Sequence, residues 1–139
     1  MDRLQIAGLV AALAGLLVAV YLTVLHYIGV VPGCPVTGPI SCDAVLASPY
    51  AVIAGTSIPT SAAGILWFAV SAATWVRAAG RVQLAWSALG LATVVYLVFI
   101  EIVRIGAICL WCTGAHILVV VLFLITLNTW QREKREKLA

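Results

Sequence analysis

Four stretches of the chain, residues 6–26, 60–76, 82–100 and 108–127, are apolar for long enough to cross a bilayer as helices, which takes about 17–25 residues. Polar positions are confined to what lies between them: the two ends, a tight turn near residues 78–81, a short link near 104–107 and one long loop over about 28–59. Hydrocarbon offers no partner to an unpaired backbone group, so each run is read as a helix. The first run is too long for a signal peptide. Its leading residues 1–5 include Asp2, and no small-residue cleavage site precedes a polar mature start. The pattern predicts an all-α integral membrane protein, a single domain over 1–139 folded as a four-transmembrane-helix bundle with one long outer loop.

Composition narrows the class further. Of 139 residues, 64% are hydrophobic and 9% charged, against about 45–50% and about 25% in an average soluble domain. So short a chain cannot hide that much apolar surface from water, which excludes a soluble monomer, a disordered chain and a nucleic-acid module; lipid is the solvent. The net charge of +3 is small, but its placement is informative. Arg3, Arg77, Arg81, Arg132, Lys134, Arg135 and Lys137 fall on one side of a four-span arrangement and only Arg104 on the other. The positive-inside rule then puts both ends in the cytoplasm and the loop outside the cytoplasmic (inner) membrane. Trp75, Trp86 and Trp130 are expected in an inner aromatic belt and Trp111 in an outer one. Gly8, Ala11, Ala12 and Gly15 offer a small face for close helix packing. The tail 131–139, QREKREKLA, reads as a solvated helix end.

The outer loop carries a single charge, Asp43, amid Val, Ile, Ala, Leu and Tyr, so it is expected to lie on something apolar. After Cys42, Asp43 reads as an N-cap, Ala44, Val45 and Leu46 follow, and Pro49 limits a short cap helix. The loop is therefore predicted to form a lid over the outward end of the bundle.

All four cysteines, Cys34, Cys42, Cys109 and Cys112, fall on that outer side. Four cysteines allow three pairings. A local Cys34–Cys42 bridge closes the ring CPVTGPISC, whose loop entropy is worth only about 2–3 kcal/mol, little for a structural staple. Cys109-Leu110-Trp111-Cys112 opens the fourth span, where free amides and the helix dipole stabilise a thiolate, the attacking species in disulfide exchange. Cys109, Cys112 and His116, three and then four apart, form one helical stripe running from water into lipid. The pattern admits a static brace, a metal site using Cys109, Cys112, His116 and a loop cysteine, or redox exchange between two thiol pairs. A dithiol that becomes a disulfide releases two electrons, and the chain has no haem-attachment CxxCH, dinucleotide fingerprint or flavin site. A membrane quinone between the helices fits the stripe: Cys112 faces it and His116 can hydrogen-bond a ring carbonyl, unless His116 simply packs between helices.

Cys34, seven residues, Cys42-Asp43-Ala44-Val45, Ser48, Tyr50-Ala51, Gly55, Ile58-Pro59 and Cys109-Leu110-Trp111-Cys112 resemble the vitamin K epoxide reductase family, in its prokaryotic quinone-reducing branch, over about residues 20–120. The resemblance implies a four-helix bundle around a quinone of the ubiquinone, menaquinone or vitamin K type. It implies that Cys34 and Cys42 are a shuttle pair, that Cys42 exchanges with Cys109, and that Cys112 lies beside the quinone. Ser48 is then expected to support the active-site end of the lid, with Thr60 and His116 near the quinone carbonyls. Animal members carry a tyrosine four residues after the second CxxC cysteine, where this chain has His116. Many prokaryotic members carry a fused thioredoxin-like domain; this chain stops at Ala139, so a separate thioredoxin-fold protein on the outer face is expected as the reductant. The alternative is a metal-binding or scaffolding four-helix membrane protein. Three smaller expectations complete the reading: an i,i+3 ion pair between Glu101 and Arg104, His26 at the membrane interface, and Gly106 as a flexible link.

Overall fold

The computed structural model describes residues 1–77 and 80–139. Ala78 and Ala79, which belong to the turn expected near 78–81, lie outside the described residues. Among the described residues there are four long helices, α1 (Arg3–Ile28), α3 (Thr60–Arg77), α4 (Gly80–Phe99) and α5 (Leu110–Leu138), and a short α2 (Cys42–Leu46) in the loop. A 3-10 turn, Pro49–Ala51, follows α2, and α4 runs on into a π-helical segment, Ile100–Ile105. Three helical stretches, Arg3–Ile28, Gly80–Ile105 and Leu110–Leu138, are long and apolar enough to cross a membrane. In α3, Thr60, Ser61, Ser71, Thr74 and Arg77 dilute the apolar character. The outward faces of the long helices carry exposed Leu17, Leu66, Val82, Val95 and Ile117, the composition expected of a surface solvated by lipid.

The ends of α1 follow from its sequence. Asp2 and Gln5 form a capping box, the Gln5 N–H donating to Asp2 Oδ1 at 2.8 Å and the Asp2 N–H to Gln5 Oε1 at 2.9 Å. Gly29, at φ 70°, closes the helix in the left-handed region. The buried face of α1 is Gly8, Ala11, Ala12, Gly15, Ala19 and Leu22, and its small residues admit the large ones of α3. A Cβ on Gly8 would fall within the Trp75 indole, and one on Gly15 within the Phe68 ring. Trp75 is therefore 3% exposed and packed on α1, not in the inner aromatic belt. Depth along the span predicts the belt; the direction its side chain faces puts it in the core.

Helices α3 and α4 meet at a second such contact. The Trp67 and Trp86 rings stack at 6.4 Å, the Trp67 Nε1–H donates to the Trp86 carbonyl at 3.4 Å, and the Trp86 Nε1–H donates to the Trp67 carbonyl at 3.3 Å. Gly90 lies against Trp67 with no room for a Cβ. The core joins Phe68 and Trp75 of α3 to Val94 of α4 and Val119 and Leu122 of α5.

Two local expectations are corrected. The cap of α2 is Ser41, whose Oγ accepts from the Ala44 N–H at 3.2 Å, and Asp43 sits in the first turn. The extended backbone at Ser41 is what an N-cap requires. Gly106, at φ 72°, is the left-handed cap of the π-helical segment, its N–H donating to the Glu101 carbonyl at 2.8 Å. It is a defined cap, not a flexible link.

Candidate active site

The loop is fastened to the segment before α5 by backbone hydrogen bonds that no periodicity announces. The Ser41 N–H donates to the Ile108 carbonyl at 3.0 Å, and the Ile108 N–H to the Pro39 carbonyl at 2.8 Å, with Ile40 and Ile108 bridged in parallel. Trp111 Nε1–H donates to the Gly33 carbonyl at 3.2 Å. The ring from Cys34 to Cys42, closed by a Cys34–Cys42 disulfide, is thus held across the start of the CxxC helix.

This fastening packs Cys42 and Cys109 into one cluster with Val45 and Ala107, where Cys42 is 1% and Cys109 0% exposed. Cys34 and Cys112 lie at its margin, half-buried. Cys109 is the N-cap of α5: its Sγ accepts from the Cys112 N–H at 3.3 Å. Cys109 and Cys112 are both free. Hydrogen bonding from the Cys112 side chain holds the Cys109 thiol below its ordinary pKa, against the opposing effects of burial and the Glu101 charge.

Cys112 also lines a cavity of about 600 Å³ enclosed by α1, α3, α4 and α5 and roofed by α2. Its walls are mostly apolar, with Leu22, Phe68, Val94 and Val119 among them, and Ser48, Thr60, Glu101 and His116 line it as well. Ser48 Oγ–H donates to the Val45 carbonyl at 2.7 Å, steadying the end of α2, and Thr60 Oγ1–H donates to the Tyr50 carbonyl at 3.2 Å, joining the lid to α3. His116 Nδ1 is buried with no hydrogen-bond partner among the described residues. Cys112, Ser48, Thr60 and His116 are thus brought to one cavity, while Cys34, Cys42 and Cys109 stand behind Cys112, off the cavity lining.

Two residues read as peripheral also line this cavity. His26 faces it from the end of α1 instead of lying at the interface alone. Glu101 is 6% exposed whereas Arg104 is exposed, so the expected ion pair does not form. The i,i+3 rule holds for α-helical pitch, and the wider π turn rotates the two side chains apart. The signal for Glu101 was available in the sequence as an ionisable residue within an apolar run. Among the described residues no three His, Cys, Asp or Glu side chains gather in a group that could hold a metal ion.

The model of the vitamin K epoxide reductase family matches residues 6–127, a stretch that takes in both cysteine pairs, the lid and His116. The chain belongs to this family. No curated protein matches it at a significant level. Membership in the vitamin K epoxide reductase family makes the chain a membrane oxidoreductase, and the family works on disulfides and generally with quinones.

Proposed function

We propose that the chain oxidises a separate thioredoxin-fold protein outside the cytoplasmic membrane and passes two electrons through Cys34/Cys42 and then Cys109/Cys112 to a quinone, supporting disulfide formation. In this reading residues 1–139 form one family domain, all four long helices cross the bilayer, and both ends are cytoplasmic. The observation that carries the proposal is the placement of the four sulfurs: Cys42 and Cys109 share a dry cluster, and Cys112 opens onto the apolar cavity.

A quinone fits what lines that cavity. Its volume of about 600 Å³ lies within the range of about 300–1,000 Å³ usual for small-molecule sites. His116 Nδ1 is a buried polar atom without a partner, suited to a ring carbonyl, and Thr60, whose hydroxyl is bonded to the Tyr50 carbonyl, lines the same wall. Bound there, a quinone supplies a lipid-soluble acceptor of two electrons and two protons. The reduced partner attacks the Cys34–Cys42 disulfide and leaves oxidised. Cys42 then exchanges with Cys109 through a mixed disulfide, and the Cys109/Cys112 dithiol gives up its electrons as its own disulfide forms. The chemistry runs in the direction of a periplasm kept oxidising by quinone.

The test is anaerobic reduction of a soluble naphthoquinone by purified protein with a dithiol donor, run on the wild type and the four single cysteine-to-alanine variants. Loss of turnover in Cys109→Ala and Cys112→Ala is expected. A wild-type protein that reduces no quinone, or a Cys112→Ala variant that still does, refutes the proposal.

A further inference from the structure

Glu101 is an expensive residue to bury. Its side chain faces a mostly apolar cavity inside a span, and no Lys or Arg lines that cavity among the described residues. A carboxyl taken out of water without a cation costs several kcal/mol. The bonds that close the π-helical segment, from the Gly106 and Ala107 N–H groups at 2.8 and 3.1 Å, go to the Glu101 backbone carbonyl, and the carboxyl is directed instead to the Cys109 N–H at the start of the CxxC helix. The widened turn does turn this side chain inward while Ile102, Val103 and Arg104 face out. Such π turns recur where a helix must aim a functional group.

We infer that Glu101 is the proton carrier of the dithiol–quinone step, moving a proton from Cys112 Sγ to a ring oxygen of the acceptor in the cavity. The inference rests on the function proposed above. Glu101 and Cys112 line the same cavity, one from the π turn that ends α4 and the other from the first turn of α5. The balance closes without another reactant. Forming the Cys109–Cys112 bond releases two electrons and two protons, and the acceptor takes up two of each as quinone becomes quinol. Glu101 moves one proton from sulfur to oxygen and ends the cycle as it began; His116 Nδ1 is the route for the other. The remaining titratable groups facing the cavity are His26 from α1, Asp43 from α2 and Tyr50 from the 3-10 turn. Asp43 and Tyr50 are exposed and belong to the lid, and His26 sits in the last turn of α1.

The test compares wild type, Glu101→Gln and Glu101→Asp as full-length protein in nanodiscs. Dithiothreitol is the donor and menadione the acceptor, with the rate followed against pH and in deuterium oxide. Menadione affinity is read from tryptophan quenching, and reduction of Cys109/Cys112 before menadione is added is read by thiol mapping. General acid–base groups contribute about 10²–10⁴-fold, so Glu101→Gln is expected to lose about a hundredfold in kcat. Its menadione affinity and thiol reduction should match wild type, and its solvent isotope effect should be enlarged. Glu101→Asp should recover part of the rate. A Glu101→Gln rate within twofold of wild type, or a loss explained by weaker menadione binding, overturns the role of Glu101 alone. Wild type that reduces no menadione overturns both this role and the proposed function. If the glutamine variant does not fold, the aspartate variant decides: about a tenfold loss with an enlarged isotope effect supports proton carriage, and a wild-type rate refutes it.

Discussion

One substitution, glycine to alanine, should change stability with opposite signs at two positions in this bundle. At Gly114, in the CxxC helix, an added Cβ meets nothing within 4 Å, so the change only removes the entropic penalty of glycine and should stabilise by about 0.5–1 kcal/mol. At Gly90 the same Cβ falls within the Trp67 indole. Overpacking costs about 1–3 kcal/mol, and a displaced Trp67 ring also loosens its Nε1–H bond to the Trp86 carbonyl, long at 3.4 Å and worth about 0.5–1.5 kcal/mol. Against the helical gain, Gly90→Ala is left about 1–3 kcal/mol less stable than wild type. The two variants should then differ in Tm by on the order of 10 °C, at a few degrees per kcal/mol for a chain of this size. Because Trp67 and Gly90 both line the cavity, Gly90→Ala should also raise KM for quinone while leaving the first reduction of Cys34–Cys42 by a dithiol unchanged. The assay is thermal unfolding of both variants in one detergent, with quinone titration beside it. Equal Tm for the two variants would refute the account of close packing between α3 and α4.

Other outcomes follow from the placement of the sulfurs and the orphaned imidazole. Cys112→Ala should accumulate a Cys42–Cys109 disulfide, detectable by peptide mapping after partial reduction; a free Cys109 in that variant contradicts the exchange. Cys34→Ala should spare turnover with a small dithiol more than turnover driven by a protein donor, and equal loss in both argues against a shuttle. His116→Ala should weaken quinone binding, since Nδ1 is a buried nitrogen left without a partner; unchanged affinity removes it from the site. The hydrogen bond from Cys112 lowers the Cys109 pKa, and thiolate exists above the pKa. In a Cys34→Ala/Cys42→Ala background, thiolate absorbance should therefore appear at lower pH with Cys112 present than with Cys112→Ala, and coincident titrations count against the bond.

The helical, lipid-solvated character of the chain was legible because hydropathy is a property of runs, and runs are local. So was the position of Cys109 at a helix start, since a short link near 104–107 gives way at Ile108 to an apolar run. What escaped was set by direction and by contacts between distant segments. The aromatic-belt rule counts depth and is blind to the face of a helix, so Trp75 was assigned to the interface although Gly8 had made a slot for it. Glu101 and Arg104 were paired by a spacing rule that assumes α pitch, and the π turn broke the assumption. Two acceptable caps, Ser41 and Asp43, stand two residues apart; backbone extension at Ser41 decides between them. The Ile40–Ile108 bridge joins residues far apart in sequence, in segments without alternation.

That bridge explains why two small motifs in distant segments act as one unit. A thiol pair at a helix start and a ring of nine residues elsewhere would meet only at the concentration set by a flexible loop, and each would spend most of its time in water. Two backbone hydrogen bonds and the Trp111 indole anchor hold the ring over the helix, which replaces diffusion by position. Burial then separates the two reactions. In the proposed sequence sulfur exchanges with sulfur in the dry cluster around Cys42 and Cys109, while Cys112, the sulfur assigned to the acceptor, opens on the other side into the cavity. In the proposed reaction electrons and protons part company at that residue: the electrons would come from the Cys34/Cys42 pair behind it, and the carboxyl of Glu101 and the imidazole of His116 line the cavity into which protons would be handed over.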